Sequence, residues 1–165
     1  GYIFQSFNLI PTLSAQENVE TALVPLGISK EERRNRAAQA LADVGLADRA
    51  GHLPSEMSGG QQQRTAIARA LVKEPKVIMA DEPTGNLDED TRDEIFAVLH
   101  RLWKELGLTV IVVTHDSVIA RRIPRLAQIK NGKLTIRREP KPAEAPAGPG
   151  REQVEAGALP ARRVK

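Results

Sequence analysis

The sequence feature that most constrains the fold is a short apolar run, residues 77 to 80, that ends abruptly in two adjacent carboxylates, Asp81 and Glu82. A run of this length, bounded by polar residues, is typical of a buried strand in a parallel sheet. In open α/β sheets, ligands bind at the carboxyl ends of the strands. The sequence therefore predicts an α/β fold in which Asp81 and Glu82 lie at a ligand-binding edge.

A pair of glycines, Gly59 and Gly60, directly precedes a segment of strong helix formers, residues 61 to 71. The first N–H groups of a helix have no intrahelical acceptor, and they lie at the positive end of the helix dipole. Such a helix start can bind an anion. An anion site together with paired carboxylates is what nucleotide hydrolysis requires.

A second apolar run, residues 108 to 114, predicts another buried strand, and His115 follows it directly. The segment between the two runs has an apolar stripe at helical spacing, which indicates a strand–helix–strand unit with a right-handed parallel crossover. His115 is therefore expected at the same sheet edge as Asp81 and Glu82. Considered alone, a single histidine is more often structural than catalytic, and a lone Asp-Glu pair is usually a solvated strand end.

Charge gives no support for a nucleic-acid partner. The formal net charge is +3, but residues 137 to 165 carry seven basic and four acidic side chains, so the rest of the chain is balanced. A balanced domain lacks the basic surface that attracts phosphate backbones. The chain has no cysteine, which excludes disulfides and thiolate metal sites. No apolar run approaches the length that spans a bilayer, so we expect any membrane link to come through a partner.

The two motifs resemble the signature motif and the Walker B motif of ABC-transporter ATP-binding subunits. The first is carried by residues 58 to 64 and the second, with the D-loop, by residues 80 to 88; Met57 replaces the usual leucine of the signature. The chain is most similar to the lipoprotein-release and macrolide-export type, over roughly residues 1 to 136. The resemblance implies a partial P-loop NTPase domain of the α/β class with an inserted helical subdomain.

The resemblance also implies a division of the chain into four parts. Residues 1 to 13 form a Q-loop segment, and residues 14 to 62 form the helical subdomain that ends in the signature. Capping boxes at Ser14 and Ser29 predict two helices in this subdomain. Residues 63 to 138 form the C-terminal half of the ATPase core. Residues 139 to 165 are rich in proline and glycine, which predicts a disordered basic tail.

The resemblance implies a role for each candidate site residue. Asp81 would hold Mg²⁺, Glu82 would polarise the attacking water, and His115 would bind the γ-phosphate. Gln5 matches the Q-loop glutamine, which touches the metal and the water; by itself it is only a polar residue at a strand end. The remaining candidates would bind the nucleotide of the opposite subunit across the dimer interface: Ser58, Gly59, Gly60, Gln61 and the D-loop residue Asp88. The simpler interpretation of Asp88 is an ordinary helix cap.

The phosphate-binding loop of this family is missing from the sequence. No segment of the form G-x-x-x-x-G-K-[ST] occurs, so the chain lacks the backbone cradle and the lysine that hold the β- and γ-phosphates. We therefore expect the C-terminal portion of an ATP-binding domain, with a parallel sheet that lacks its Walker A strand. Such a sheet has an unpaired edge and uncovered apolar faces. We also expect no ATP hydrolysis by this chain alone.

The predicted function is that of an ATPase subunit, with ATP and Mg²⁺ as cofactors, that energises a transporter. Its partners would be a second ABC ATPase subunit, arranged head to tail, and a transmembrane permease subunit, with no nucleic acid. The location would be peripheral, at the cytoplasmic face of the inner membrane. One alternative is a soluble relative that works on DNA or ribosomes, although the chain has one signature and no space for a long coiled coil. The other is a non-catalytic or split regulatory half-site subunit.

Overall fold

A computed structural model of the chain describes residues 1 to 138. The predicted disordered tail lies outside the described residues. Three short 3₁₀ turns accompany the regular elements, at Val24–Leu26, Ala47–Arg49 and Pro54–Glu56. The elements in chain order are β1 (Tyr2–Ile3), α1 (Ala15–Thr21), α2 (Lys30–Asp43), α3 (Gly59–Leu71), β2 (Val77–Asp81), α4 (Glu89–Leu106), β3 (Thr109–Val113), α5 (Ser117–Arg122), β4 (Arg125–Lys130) and β5 (Lys133–Arg138).

The first compact unit, Gly1–Arg121, is built on a three-stranded parallel sheet in the order β1-β2-β3. Ile3 pairs with Ala80, and Asp81 pairs with Val113. Helix α4 connects β2 to β3, which confirms the predicted parallel crossover. Strand β3 is the last in the order, so its outer edge carries no partner strand within residues 1 to 138.

The two long strands were predicted to be buried, and this prediction is wrong for one face of each. In β2, Ile78 and Ala80 are buried, whereas Met79 is 46% exposed. In β3, Ile111 and Val113 are about half exposed. The reason is that the buried residues of α3 and α4 join the core on only one face of the sheet. The expectation of uncovered apolar faces is therefore confirmed for the described residues.

Helices α1, α2 and α3 pack on one another and share the core with the inner face of the sheet. The capping box at Ser14 is confirmed, because the Ser14 and Glu17 side chains each accept the other residue's backbone N–H. At Ser29 only half of the box forms: its hydroxyl accepts the Glu32 N–H. The Glu32 carboxylate instead accepts from Arg36 Nε at 2.7 Å, one turn further along α2. The predicted four-part division of the chain stays a prediction.

The second unit begins at Arg122, and its described part is the antiparallel hairpin of β4 and β5. Asn131 and Gly132 form the two-residue turn, with φ values of 52° and 72°. Two successive left-handed residues are what a type I′ turn requires, and Asn-Gly supplies them at low cost.

Candidate functional site

Glu82 and His115 meet at the carboxyl edge of the parallel sheet. Glu82 follows β2 with a left-handed φ of 44°, and its N–H donates to Val113 O at 2.9 Å. Its Oε1 accepts from the His115 backbone N–H at 2.8 Å and from His115 Nδ1 at 2.7 Å. Because the carboxylate accepts, the imidazole carries its hydrogen on Nδ1, and the largely exposed ring presents Nε2 outward. The structure thus brings together the two side chains that the sequence placed at this edge.

Three residues that sequence reasoning did not single out hold this pair. Thr114 Oγ1 donates to Glu82 Oε2 at 3.1 Å and accepts from the Asp116 N–H at 3.0 Å. Asp116 in turn accepts from Arg92 Nη1 at 3.5 Å. A hydrogen bond to the neighbouring Asp93 raises the pKa of Arg92, and the Asp116 carboxylate adds to this effect. The network links the first turn of α4 to Oε2 of the Glu82 carboxylate.

A cavity of about 370 Å³ opens beside these side chains. Its walls come from the segment after β2, from α4 and from the segment after β3. The lining residues are Glu82, Thr84, Gly85, Leu87, Arg92, His115, Asp116 and Ser117. Gln5 and Asp81 are not among the lining residues, so the cavity unites only part of the predicted set.

Gln5 lies instead against the loop that follows Glu82. Its Nε2 donates to Asn86 Oδ1 at 3.4 Å, and Asn86 Nδ2 donates back to Gln5 O at 3.2 Å. A Cβ atom added to Gly85 would lie 2.9 Å from Gln5 Nε2, so a glycine permits this approach. The role of Asn86 was missed because its partner lies 81 residues away.

Asp81 is exposed at the end of β2, next to Glu82. Within residues 1 to 138, no three His, Asp or Glu side chains come together as a ready-made metal site. Mg²⁺ is commonly held by one or two protein carboxylates, with waters and substrate phosphates completing its shell. An accessible carboxylate at the sheet edge therefore fits a Mg²⁺ ligand, and Gln5, in the turn after the neighbouring strand β1, carries an amide oxygen of the same kind.

The helix at the predicted anion site begins earlier than expected. Helix α3 begins at Gly59, not at residue 61, so the two glycines form its first turn. Ser58 caps the helix: its Oγ accepts the Gln61 N–H at 3.3 Å, and Gln61 Oε1 accepts the Ser58 N–H at 3.0 Å. The Ser-x-x-Gln spacing of a capping box was present in the sequence and could have revealed this start. The Ser58 and Gln61 side chains thus orient the helix end whose N–H groups point outward.

The start of α3 packs tightly against the rest of the site. A Cβ on Gly59 would lie 3.2 Å from Leu87 Cδ2, and a Cβ on Gly60 only 2.5 Å from Thr91 Cγ2. Further along the helix, the buried Gln63 donates from Nε2 to Pro83 O at 2.6 Å. These contacts join α3 to the loop after Glu82.

Residues 1–85 match the family model described as ABC transporter, which is just over half of the chain. The chain belongs to the ABC transporter family. It is an ATP-binding domain of the type found in the macrolide-export and related proteins. Ser58 and Glu82 lie within the residues that match the family model, and His115 lies beyond them.

Two bacterial relatives illustrate this similarity. The chain is 51% identical over 134 residues to the macrolide export ATP-binding/permease protein MacB of Burkholderia thailandensis, which covers 81% of the chain and 20% of that protein. It is equally identical, over the same share of the chain, to the uncharacterized ABC transporter ATP-binding protein YbbA of Escherichia coli, where it covers 59% of the protein. The chain thus spans between a fifth and three fifths of these relatives.

A solved structure supports the fold. The structure described as the dimeric post-hydrolysis state of the ATP-binding cassette MJ0796, bound to ADP and Pi, superposes with a TM-score of 0.71 at 46% identity. The match covers 84% of this chain and 62% of that one. In the described part of the chain, none of the helices combines the length and the apolarity needed to cross a bilayer.

Asp88, the candidate residue of the D-loop, acts as a helix cap in the structure. Its carboxylate accepts from the Thr91 N–H at 2.9 Å and from Thr91 Oγ1 at 2.8 Å, at the start of α4. These two hydrogen bonds hold the pKa of Asp88 below its usual range. The simpler interpretation is thus what the described residues show, and a role across a dimer interface stays a prediction.

The Asp88 cap predicts a specific pH dependence. Because the folded-state pKa is lowered, the charged carboxylate contributes stability above the ordinary aspartate pKa, and this is lost as the pH falls through the folded-state value. Asp88→Asn keeps a capping oxygen but removes the charge, so its destabilisation should be largest at neutral pH and shrink in acid. Urea unfolding at a series of pH values measures this difference. Asp90→Asn removes a charge from the same helical turn without touching the cap, and identical pH profiles for the two variants would contradict the prediction.

Proposed function

We propose that this chain is the C-terminal portion of an ATP-binding subunit that couples ATP binding and hydrolysis to transport by a membrane partner. The observation that carries the proposal is the contact of 2.7 Å between Glu82 and His115 beside a polar cavity at the carboxyl edge of a parallel sheet. A carboxylate held by three hydrogen-bond donors is positioned to accept a proton from water. An imidazole with an exposed Nε2 is positioned to contact a phosphate oxygen.

Each side chain has a defined part in the proposed hydrolysis. Glu82 orients and polarises the attacking water, help that is typically worth about 10²–10⁴ in rate. Thr114 and the His115 N–H fix the direction of the Glu82 carboxylate, and the His115 ring contacts the γ-phosphate. Asp81 and the Gln5 amide oxygen would hold Mg²⁺, which supplies charge neutralisation at the phosphates when bound.

The proposed dimer places the signature of one subunit on the nucleotide of the other. Ser58, Gly59, Gly60 and Gln61 present the start of α3, and Asp88 lies in the D-loop beside it. Support comes from the packing of Gly59 and Gly60 against Leu87 and Thr91, which joins these two segments into one surface. The dimeric state of the MJ0796 cassette is consistent with this arrangement.

The membrane partner is proposed from the relatives. One relative is named an ATP-binding/permease protein, and it is about five times as long as the segment that matches this chain. We propose that a permease subunit anchors this domain at the cytoplasmic face of the inner membrane.

ATP hydrolysis tests the proposal directly. The 165-residue chain alone should show no Mg²⁺-dependent turnover, because its sequence has no phosphate-binding loop. A chimaera that carries, before Gly1, the upstream part of a family member with such a loop should hydrolyse ATP. Glu82→Gln in this chimaera should reduce kcat by about 10²-fold or more, because the amide is a poor base.

The binding of ATP separates the competing interpretations. A chimaera that binds ATP but does not hydrolyse it, with Glu82 intact, would favour a non-catalytic half-site subunit. Turnover by the 165-residue chain alone would overturn the proposal that the missing loop is required. Chimaeras with Arg36→Met, in the exposed ion pair with Glu32 on α2, serve as a control for unspecific loss of activity.

A further inference from the structure

Two consecutive residues after Gln5 adopt a backbone conformation that side chains other than glycine rarely tolerate. Phe7 and Asn8 have φ values of 56° and 50°. A non-glycine residue in the left-handed region is strained, and a bulky one such as phenylalanine is uncommon there. Such a turn persists only when its surroundings hold it, so the contacts that it makes are informative.

The turn is held by Arg69, which lies on α3 and belongs to none of the motifs named above. Its Nη1 donates to Asn8 O at 2.5 Å, and its Nη2 donates to Phe7 O at 2.8 Å. A guanidinium presents parallel N–H groups in a fixed plane, so it can bind two successive carbonyls at once. Arg69 is partly buried, and this burial lowers the pKa of its guanidinium through desolvation.

The same turn places an aromatic ring beside the signature. Phe7 is partly buried, and a Cβ on Gly59 would lie 3.8 Å from Phe7 Cζ. Ser58, which caps α3, directly precedes Gly59. Arg69, near the C-terminal end of α3, therefore fixes a loop whose Phe7 side chain reaches the N-terminal end of the same helix.

We propose that Arg69 is a positioning residue that makes the loop of residues 5 to 10 and the signature start of α3 move as one body. It touches no reacting atom. It acts by holding the left-handed turn, and through it the Phe7 ring, against the helix. The functional part of this inference rests on the proposed ATPase function, in which Gln5 and Ser58 both act at a bound nucleotide.

Hydrogen exchange of the full 165-residue chain tests the physical half without any nucleotide. In Arg69→Met, the backbone amides of residues 6 to 10 should exchange about tenfold faster or more, while those in the middle of α3 keep their protection. The matched control is Arg36→Met, which also removes a guanidinium from a helix but whose partner is the exposed Glu32, one turn away on α2. It should leave the loop unchanged. Arg69→Lys offers one compact donor group in place of two, so it should give an intermediate rate.

Several outcomes would overturn the proposal. One is equal loop exchange in Arg69→Met and Arg36→Met. Another is a uniform rise across residues 1 to 121 in both Arg69→Met and the milder Arg69→Lys, which would show that Arg69 only stabilises the fold. If Arg69→Met does not fold, the Lys variant carries the comparison.

Kinetics of the chimaera described above test the functional half. Arg69→Met should lower kcat by about tenfold at unchanged KM for ATP, since the residue orders the site without contacting the nucleotide. Arg36→Met should change neither constant. An unchanged kcat in Arg69→Met would refute the inference, whereas a parent chimaera without turnover would refute the proposed function and leave the exchange result standing.

Discussion

Replacing Gly60 with alanine is expected to destabilise the unit Gly1–Arg121 by about 1–3 kcal/mol, the usual cost of overpacking a filled site. The sign is informative, because Gly→Ala at a compatible position normally stabilises a protein by about 0.4–1 kcal/mol. Gly60 is buried, and the added Cβ would lie 2.5 Å from Thr91 Cγ2. Actual Cβ atoms do not approach a methyl carbon so closely, so either α3 or Thr91 must move.

Thr91 cannot rotate away without a second loss. Its Oγ1 donates to Asp88 Oδ2 at 2.8 Å, and its N–H donates to Asp88 Oδ1 at 2.9 Å. A different Thr91 rotamer would move the hydroxyl away from the cap of α4. We therefore expect the clash to disturb the Asp88 cap of α4, so that packing within the chain favours glycine at residue 60.

A double substitution tests this explanation. Thr91→Ser removes only Cγ2 and keeps the hydroxyl, so Gly60→Ala combined with Thr91→Ser should recover most of the stability lost in Gly60→Ala. Gly51→Ala is the matched control, because no heavy atom lies within 4 Å of its added Cβ. Urea unfolding curves give the free energies. Gly60→Ala as stable as the parent, or no recovery in the double variant, would contradict the close approach.

The parts of the fold that could be predicted depend on local patterns. The apolar runs of β2 and β3, with a helical stripe between them, were sufficient to predict parallel strands and a shared edge for Glu82 and His115. The start of α3 was misplaced because the low helix propensity of glycine was given more weight than the cap formed by Ser58 and Gln61. Local capping chemistry outweighs the cost of glycine in the first turn.

The exposure of the strands could not be predicted from their composition. A run such as residues 77 to 80 is equally apolar whether one face or both faces are covered. The outcome depends on which elements pack against the sheet, and the described residues supply helices on one face only.

The contacts that order the site could not be predicted because they join residues far apart in sequence. Gln63 meets Pro83 across 20 residues, Arg69 meets Phe7 across 62, and Asn86 meets Gln5 across 81. None of these side chains follows a periodic pattern that would distinguish it from a solvated polar residue.

Substitution of Asn18 is expected to cause a larger loss of stability than the other substitutions proposed above. The side chain is fully buried in α1, and its Oδ1 accepts the Ile10 N–H at 2.7 Å. Its Nδ2 faces three carbonyls, those of Ile10 at 3.1 Å, Leu13 at 2.8 Å and Ser14 at 3.0 Å. Asn18→Ala leaves these groups without the amide, and at about 1–3 kcal/mol for each unpaired buried group the expected cost is about 3 kcal/mol or more.

Asn18→Asp should be worse than alanine at neutral pH, although it is the closest substitution in shape. An ionised carboxylate has no hydrogen to donate, so one of its oxygens would face three carbonyl oxygens. Burial and these carbonyls must raise the folded-state pKa of the new side chain, because only the protonated form can donate. The protonated side chain therefore contributes stability in acid, and this contribution is lost as the pH rises through the raised folded-state pKa.

The two variants should accordingly converge as the pH falls. Chemical denaturation at neutral and acidic pH measures the gap between Asn18→Asp and Asn18→Ala, each relative to the parent. Asn35 is exposed on α2, so the same two substitutions there should have effects within about 0.5 kcal/mol. If Asn18→Asp were as stable as the parent at neutral pH, the amide could not be donating to the loop. Its orientation, with oxygen toward Ile10 N and nitrogen toward the carbonyls, would then have to be reversed or abandoned.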